Sequence, residues 1–245
     1  MPDSSSPIDW RLTVLPELDS TNDEALRRLS AGADAGEIII AERQSAGKGR
    51  AGREWQSLPG NLAMTATVEI PDERPASDLA FVTAVAVMEA VNRLLPGQRR
   101  VEVKWPNDLL LEGSKLGGIL IETGGALRVA AVGIGLNLVR TPKVDGVKAV
   151  CLAQSGGSAT PRQMAELIGE SLSGWWQRWR EQGLLPVIAA WRAAAVGIGE
   201  PILVRLADGA ELSGRFADIA DDGRLTLQMA DGEVRSISAG DVFFG

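Results

Sequence analysis

Between residues 101 and 139 the chain presents four strand-like runs in quick succession, at 101–104, 109–112, 116–122 and 127–139, divided by Pro106-Asn107, Glu112-Gly113-Ser114 and Gly124-Gly125. Connections this short leave no room for a crossover helix, so successive strands must fold back on one another. A doubly wound parallel sheet is thereby excluded, and a mixed or antiparallel sheet remains. Two more strands are expected at 37–42 (EIIIAE) and 61–70 (NLAMTATVEI), on either side of a long glycine-rich loop. Helices flank them. Thr21-Asn22-Asp23-Glu24 has capping-box spacing before a short helix, and residues 77–95 carry Leu79, Val82, Ala86, Val87 and Val91 on one face before Pro96-Gly97. Thr160-Pro161 opens a helix that runs to about residue 182, and another from about 185 carries Trp191. Trp175, Trp176, Trp179 and Trp191 are expected to fill the core where these helices meet the sheet. The fold class is α+β, a mixed or antiparallel sheet flanked by helices.

After Gly199 the pattern changes to short alternating strands broken by Asp208-Gly209, Asp222-Gly223 and Asp231-Gly232, dipeptides that favour type I′ hairpin turns. Leu225, Leu227 and Met229 alternate with Thr226 and Gln228, as on a half-buried strand. A small C-terminal β-barrel is expected, which divides the chain into residues 1–197 and 198–245.

Composition narrows the chemistry by what it lacks. The sequence contains no histidine and no tyrosine. That excludes Ser-His-Asp and Cys-His nucleophile systems, the H-E-x-x-H zinc site and the kinase catalytic loop. The single cysteine, Cys151, has no second thiol with which to pair and reads as a buried core residue. Twenty-five Lys and Arg against 32 Asp and Glu give a net charge of -7, which argues against a nonspecific nucleic-acid surface. The N-terminal MPDSSSPIDW lacks a basic start and an apolar core, and no run of apolar residues is long enough to span a bilayer, so the expected location is the cytoplasm, away from membranes. What remains open is chemistry that works by positioning and charge neutralisation. Acyl-adenylate formation is of this kind, because a carboxylate already ionised at neutral pH attacks phosphorus unaided.

The richest stretch is Gln44-Ser45-Ala46-Gly47-Lys48-Gly49-Arg50-Ala51-Gly52-Arg53-Glu54-Trp55. Gly47-x-Gly49-x-x-Gly52 matches the dinucleotide fingerprint in letters only, since a polar segment ending in Ser57-Leu58-Pro59-Gly60 blocks the helix such a motif must open. Nor is it a Walker A loop, because no Ser or Thr follows Lys48. Three glycines with Lys48, Arg50 and Arg53 instead suit a mobile loop that brings backbone and cations close to an anion.

This loop resembles the G-(R/K)-G-R-x-G-R-x-W signature of biotin–protein ligases. The likeness continues, in order and spacing, with Lys104-Trp105-Pro106-Asn107-Asp108, with Lys115-Leu116-Gly117-Gly118-Ile119-Leu120-Ile121-Glu122 and with Gly133-Ile134-Gly135-Leu136-Asn137. It covers essentially the whole chain, from Ser20-Thr21-Asn22 to the SH3-like barrel that such ligases carry at the end. The resemblance implies the class II aminoacyl-tRNA synthetase-like fold of biotin ligase catalytic domains, and the monofunctional type. Nineteen residues before Ser20 are too few for a winged DNA-binding domain, so no DNA partner is expected.

Carried over by position, the resemblance assigns Ser20, Thr21, Asn22 and Gln44 to the ureido end of biotin. Lys48, Gly49 and Arg50 close over biotin and its adenylate, Lys115 meets the biotin carboxylate and the phosphate, and Gly117 and Gly118 form the pocket wall. Arg50, Arg53, Asn107 and Asn137 are implied on the ATP side, and Arg50, Lys115 and Asp108 as the catalytic set. Lys48 stands where the family often has arginine, which keeps the charge and loses the planar fork. The implied reaction joins biotin and ATP, brought with Mg2+ as a substrate complex, into biotinyl-5′-AMP. The acyl group then passes to a lysine of the biotin carboxyl carrier protein of a biotin-dependent carboxylase. No protein metal site and no tightly bound prosthetic group are expected, and the molecule is expected as a monomer or homodimer. The rivals are a lipoate or octanoate ligase or transferase of related fold, and a noncatalytic biotin or nucleotide sensor.

Overall fold

The computed structural model describes residues 8–124 and 128–244. Gly125 of the expected Gly124-Gly125 turn and Leu127 of the strand after it lie outside the described residues. Seven strands build the larger sheet: β1 (Arg11–Leu18), β2 (Glu37–Gln44), β3 (Leu62–Glu69), β4 (Val101–Lys104), β5 (Asp108–Leu111), β6 (Ser114–Thr123) and β7 (Val129–Leu136). Their order is β1-β2-β3-β7-β6-β5-β4, and only β1 and β2 run parallel. The sheet is therefore mixed: the strands joined by short connections pair antiparallel as expected, and the parallel pair comes from β1. Strand β1 was not foreseen. It sits at the sheet edge, half-covered and interrupted by Pro16, so its apolar alternation is weak.

Helix α1 (Thr21–Ser30) connects the parallel neighbours β1 and β2 and packs on one face of the sheet. Helices α2 (Asp78–Asn92), α3 (Pro161–Gln182) and α4 (Leu185–Ala193) cover the other face around the main core, with Trp176, Trp179 and Trp191 buried in it. The start of α3 is where the sequence puts it: Gln163 donates its backbone N–H to Thr160 Oγ1 at 3.2 Å while Thr160 N–H donates to Gln163 Oε1 at 3.0 Å. The capping box expected at Thr21 does not form. Ser20 is the N-cap, and Thr21 turns its backbone N–H and its hydroxyl to Gln44 Oε1, at 2.8 and 3.1 Å, while Glu24 is taken by Arg27 and Arg28.

The C-terminal strands β8 (Pro201–Arg205), β9 (Glu211–Ile219), β10 (Leu225–Gln228), β11 (Val234–Ile237) and β12 (Asp241–Phe244) form a second, antiparallel sheet in the order β11-β10-β9-β8-β12. The expected closed barrel is an open sheet: among the described residues no ladder joins β11 to β12. The sheet is nevertheless curled. Strands β11 and β12 stand at opposite edges yet Ile237 and Asp241 are four residues apart, a reach of about 14 Å at most, against about 19 Å across five flat strands.

The three Asp-Gly turns also differ from expectation. A type I′ turn needs positive φ at both central residues, but only Gly209, Gly223 and Gly232 are left-handed, at +86°, +82° and +88°. Each is instead a type I turn followed by a glycine bulge, in which the aspartate carboxylate accepts the amide two residues on and thereby holds the turn. Among the described residues, both φ are positive in two two-residue turns, Ala51-Gly52 and Glu112-Gly113, the latter between β5 and β6. Cys151 is buried, as expected. Among the described residues no helix is long and apolar enough to cross a membrane.

Candidate active site

The alternation of β7, VAAVGIGL, makes the two faces of the sheet unequal. Val132, Ile134 and Leu136 point into the helix-covered core, while Ala131, Gly133 and Gly135 lie on the face shared with α1. Gly118 of β6 pairs with Gly135, so neighbouring rungs carry almost no side chain on this face. A cavity of about 370 Å3 lies above that bare patch, within the usual size of small-molecule sites.

One end of the cavity is neutral and polar. Ser20, Thr21 and Asn22 enter from the first turn of α1, and Gln44 from the end of β2. Asn22 is fixed on three sides: its amide donates to Glu122 Oε2 at 2.7 Å and to Leu120 O at 3.4 Å, and its Oδ1 accepts Thr65 Oγ1 at 2.6 Å. Gly133 is required beneath it, since a Cβ there would stand 2.4 Å from Asn22 Oδ1.

The other end is charged. Lys115, at the start of β6, donates from Nζ to Asp108 Oδ1 of β5 at 2.6 Å. Arg50 Nη1 donates to Asn107 Oδ1 at 3.1 Å, and Asn107 Nδ2 to Ile119 O at 2.6 Å. Arg50 and Lys115 thus line the same cavity. Burial pushes the Arg50 guanidinium below its ordinary pKa, against the opposing pull of Asp241; it stays charged, so its desolvation favours an incoming anion. Lys48 is held above its ordinary pKa by its hydrogen bond to Asp23, 2.5 Å away, which ties the loop to α1.

The loop itself is a narrow hairpin. Gly49 N–H donates to Arg53 O, Trp55 N–H to Gly47 O, and Lys48 bridges Glu54. Its Trp55 ring lies directly on Gly135, where a Cβ would be 2.3 Å from the indole. Gly47 is equally constrained, since a Cβ there would be 2.5 Å from Trp55 O.

Of the residues singled out in the sequence, Ser20, Thr21, Asn22, Gln44, Lys48, Gly49, Arg50, Arg53, Asn107, Asp108, Lys115, Gly118 and Asn137 all line this cavity. Gly117 does not. It faces β7, where a Cβ would be 2.4 Å from Gly135 O and from Leu136 Cδ2. Arg53 directs its guanidinium away to Asp241 of β12, at 3.0 Å. The Asn137 carboxamide is engaged with backbone, donating to Val150 O at 3.1 Å and Lys115 O at 3.4 Å. Sequence reasoning missed Asp241 and a roof made by Pro142, Val144, Val147 and Ala149. Apolar residues scattered through a polar loop carry no periodic signal.

Comparison with known proteins agrees with this geometry. Residues 14–138 match the biotin/lipoate A/B protein ligase family and residues 197–245 the biotin protein ligase C terminal domain. A biotin–(acetyl-CoA-carboxylase) ligase of Paracoccus denitrificans is 36% identical over 95% of this chain and 100% of its own length. The biotin protein ligase from Aquifex aeolicus, solved in complex with biotin and ATP, superposes with a TM-score of 0.83 at 21% identity, covering 95% of this chain and 97% of that one. The ligase from Leishmania major in complex with biotinyl-5-AMP gives 0.66 at 27% identity, covering 94% and 99%. With half the chain matched by the first family model and a relative this similar over its full length, the chain belongs to the biotin/lipoate A/B protein ligase family and ends in the C-terminal domain of its biotin protein ligases.

Proposed function

We propose that this protein joins biotin to AMP and passes the biotinyl group to a lysine of a biotin carboxyl carrier protein. The observation that carries the reading is the single cavity with a neutral hydrogen-bonding end at α1, a main-chain floor, and Arg50 and Lys115 converging at the far end. A cyclic urea suits neutral donors and acceptors, and a carboxylate meeting a triphosphate suits fixed cations.

In this reading Ser20, Thr21, Asn22 and Gln44 hold the ureido ring, and Gly118 lets the acyl chain lie on the sheet. Lys115 and Arg50 neutralise charge as a biotin carboxylate oxygen attacks the α-phosphorus and pyrophosphate leaves. Arg53, Asn107 and Asn137 support the nucleotide side, under the roof of Val144 and Val147. The carrier amine then attacks the acyl carbon, AMP departs, and Asp108 stands where that amine arrives. Lys48 and Gly49 cover the mixed anhydride and keep water from it. Magnesium enters with ATP as part of the substrate, held mainly by phosphate and water. The reaction belongs to the cytoplasm, and residues 1–197 carry it while 198–245 form the accessory sheet.

The test is pyrophosphate release from ATP on addition of biotin, followed by the mass of a carrier domain. Biotin-dependent release with one added biotinyl group is expected. Silence, or faster release with lipoate than with biotin, refutes the reading.

A further inference from the structure

Asn61, the residue before β3, does not touch the cavity, yet its buried side chain controls both the roof and the floor. Its Oδ1 accepts three consecutive backbone amides, Leu138 at 3.1 Å, Val139 at 3.0 Å and Arg140 at 2.9 Å. Its Nδ2 donates to Arg140 O at 2.7 Å and to Asn137 Oδ1 at 3.4 Å. The chain leaving β7 is thus bent around one carboxamide at the point where it departs to form the roof.

The roof's other end is held by Lys115. Its backbone N–H donates to Lys148 O at 2.8 Å and its carbonyl accepts Val150 N–H at 3.0 Å. Asn137, already bonded to Asn61, joins the two ends by donating to Lys115 O and Val150 O. One network of two buried asparagines therefore fixes where residues 141–147 rise, where they return, and the main chain that carries the Lys115 ammonium. Val144 and Val147, between those ends, are 45% and 43% exposed. Satisfied networks of this kind hold a single geometry, and a partly satisfied one does not.

We infer that Asn61 is a positioning residue for nucleotide binding, acting through the 138–140 turn on the roof and through Asn137 on Lys115. The inference rests on the proposed ligase reading for the identity of the nucleotide. It separates two properties that general damage would move together, because the polar end at α1 is held by Thr65, Leu120 and Glu122 and shares no hydrogen bond with Asn61.

The experiment compares Asn61→Ala and Asn61→Asp with the parent protein in the pyrophosphate assay, varying ATP and biotin separately. A carboxylate still accepts all three amides but cannot donate to Arg140 O or Asn137 Oδ1, so it keeps the turn and breaks the link to Asn137. Asn61→Ala is expected to raise KM for ATP on the order of tenfold or more and to leave KM for biotin within about twofold, with Asn61→Asp recovering only the part of the loss that belongs to the turn. Hydrogen–deuterium exchange of residues 138–150 is expected to accelerate in Asn61→Ala and to accelerate less in Asn61→Asp, which keeps the three accepted amides. An unchanged KM for ATP, equal rises in both KM values, or no difference between the two variants overturns the inference. If the parent releases no pyrophosphate, the ligase reading fails by itself. The exchange data, collected with and without ATP, still decide the clamp: unchanged protection at 138–150 in Asn61→Ala refutes it.

Discussion

Replacing Gly135 with alanine puts one methyl group between the sheet and the cation-bearing loop. The added Cβ would stand 2.3 and 2.4 Å from Trp55 Cε2 and Cζ2, and 2.8 Å from Nε1. Backbone near the end of β7, still laddered on both sides to Ala63 of β3 and Gly118 of β6, resists displacement, so the indole must retreat by roughly 1 Å to regain ordinary contact. Trp55 N–H is bonded to Gly47 O, and Lys48 bridges Glu54, so the hairpin moves with the ring and takes Arg50 with it. Overpacking costs about 1–3 kcal/mol, and because Trp55 is only half-buried the lower end applies. The reaction is more sensitive: misplacing a charge-neutralising group by about 1 Å can lower a rate on the order of a hundredfold. The expected result for Gly135→Ala is a folded protein with a small drop in Tm, a tryptophan fluorescence change that is absent in a Trp55→Phe background, and biotin-dependent pyrophosphate release reduced on the order of a hundredfold. Release within about threefold of the parent, with the fluorescence shifted, refutes the claim that the seat of Trp55 sets the position of Arg50.

Lys115→Ala removes the ammonium proposed to face the reacting phosphate and is expected to slow adenylate formation on the order of a hundredfold or more, while Tm changes little because the pair with Asp108 is partly solvated; a loss under about tenfold contradicts the assignment. Gly174→Ala, in the exposed middle of α3 with open space around the new methyl, is expected to stabilise by about 0.5–1 kcal/mol and leave activity unchanged, as thermal unfolding and the pyrophosphate assay would show. Burial pushes the Asp78 carboxyl above its ordinary pKa although the Trp179 indole, donating at 2.9 Å, pulls it down. A raised carboxylate pKa means that the folded state holds the proton more tightly, so its destabilisation is full above the folded value and fades as pH falls through it. Asp78→Asn is therefore expected to gain stability at neutral pH and to lose that advantage in acid; urea titrations showing the same difference at every pH would refute this.

Elements whose signals are local were legible. The α3 cap at Thr160, the short connections that fix antiparallel pairing, and the chemistry of residues 44–55 depend on neighbours within a few positions. Features decided by distant partners were not. Thr21 looked like a cap because its spacing to Glu24 is right, but a glutamine 23 residues away competes for it. The Asp-Gly pairs are a local exception: they looked like type I′ turns, and the aspartate side chain chose another turn by taking the amide two residues on. The cavity residues were readable because they sit in compact motifs. The roof and Asp241 were not, since nothing near Val144 or Asp241 in sequence marks that they meet the glycine loop. Gly117 and Gly118 show the limit of adjacency: neighbours on a strand face opposite sides, and only one of them borders the cavity.

A floor of peptide backbone has no rotamers to rearrange. Gly118, Gly133 and Gly135 are already the smallest residues available, so every substitution there subtracts volume. Breadth towards bulkier analogues of the ligand cannot be evolved from beneath. It must come from the overhanging valines or from the polar end, and an engineer seeking a roomier variant should diversify Val144 and Val147 and leave the three glycines alone.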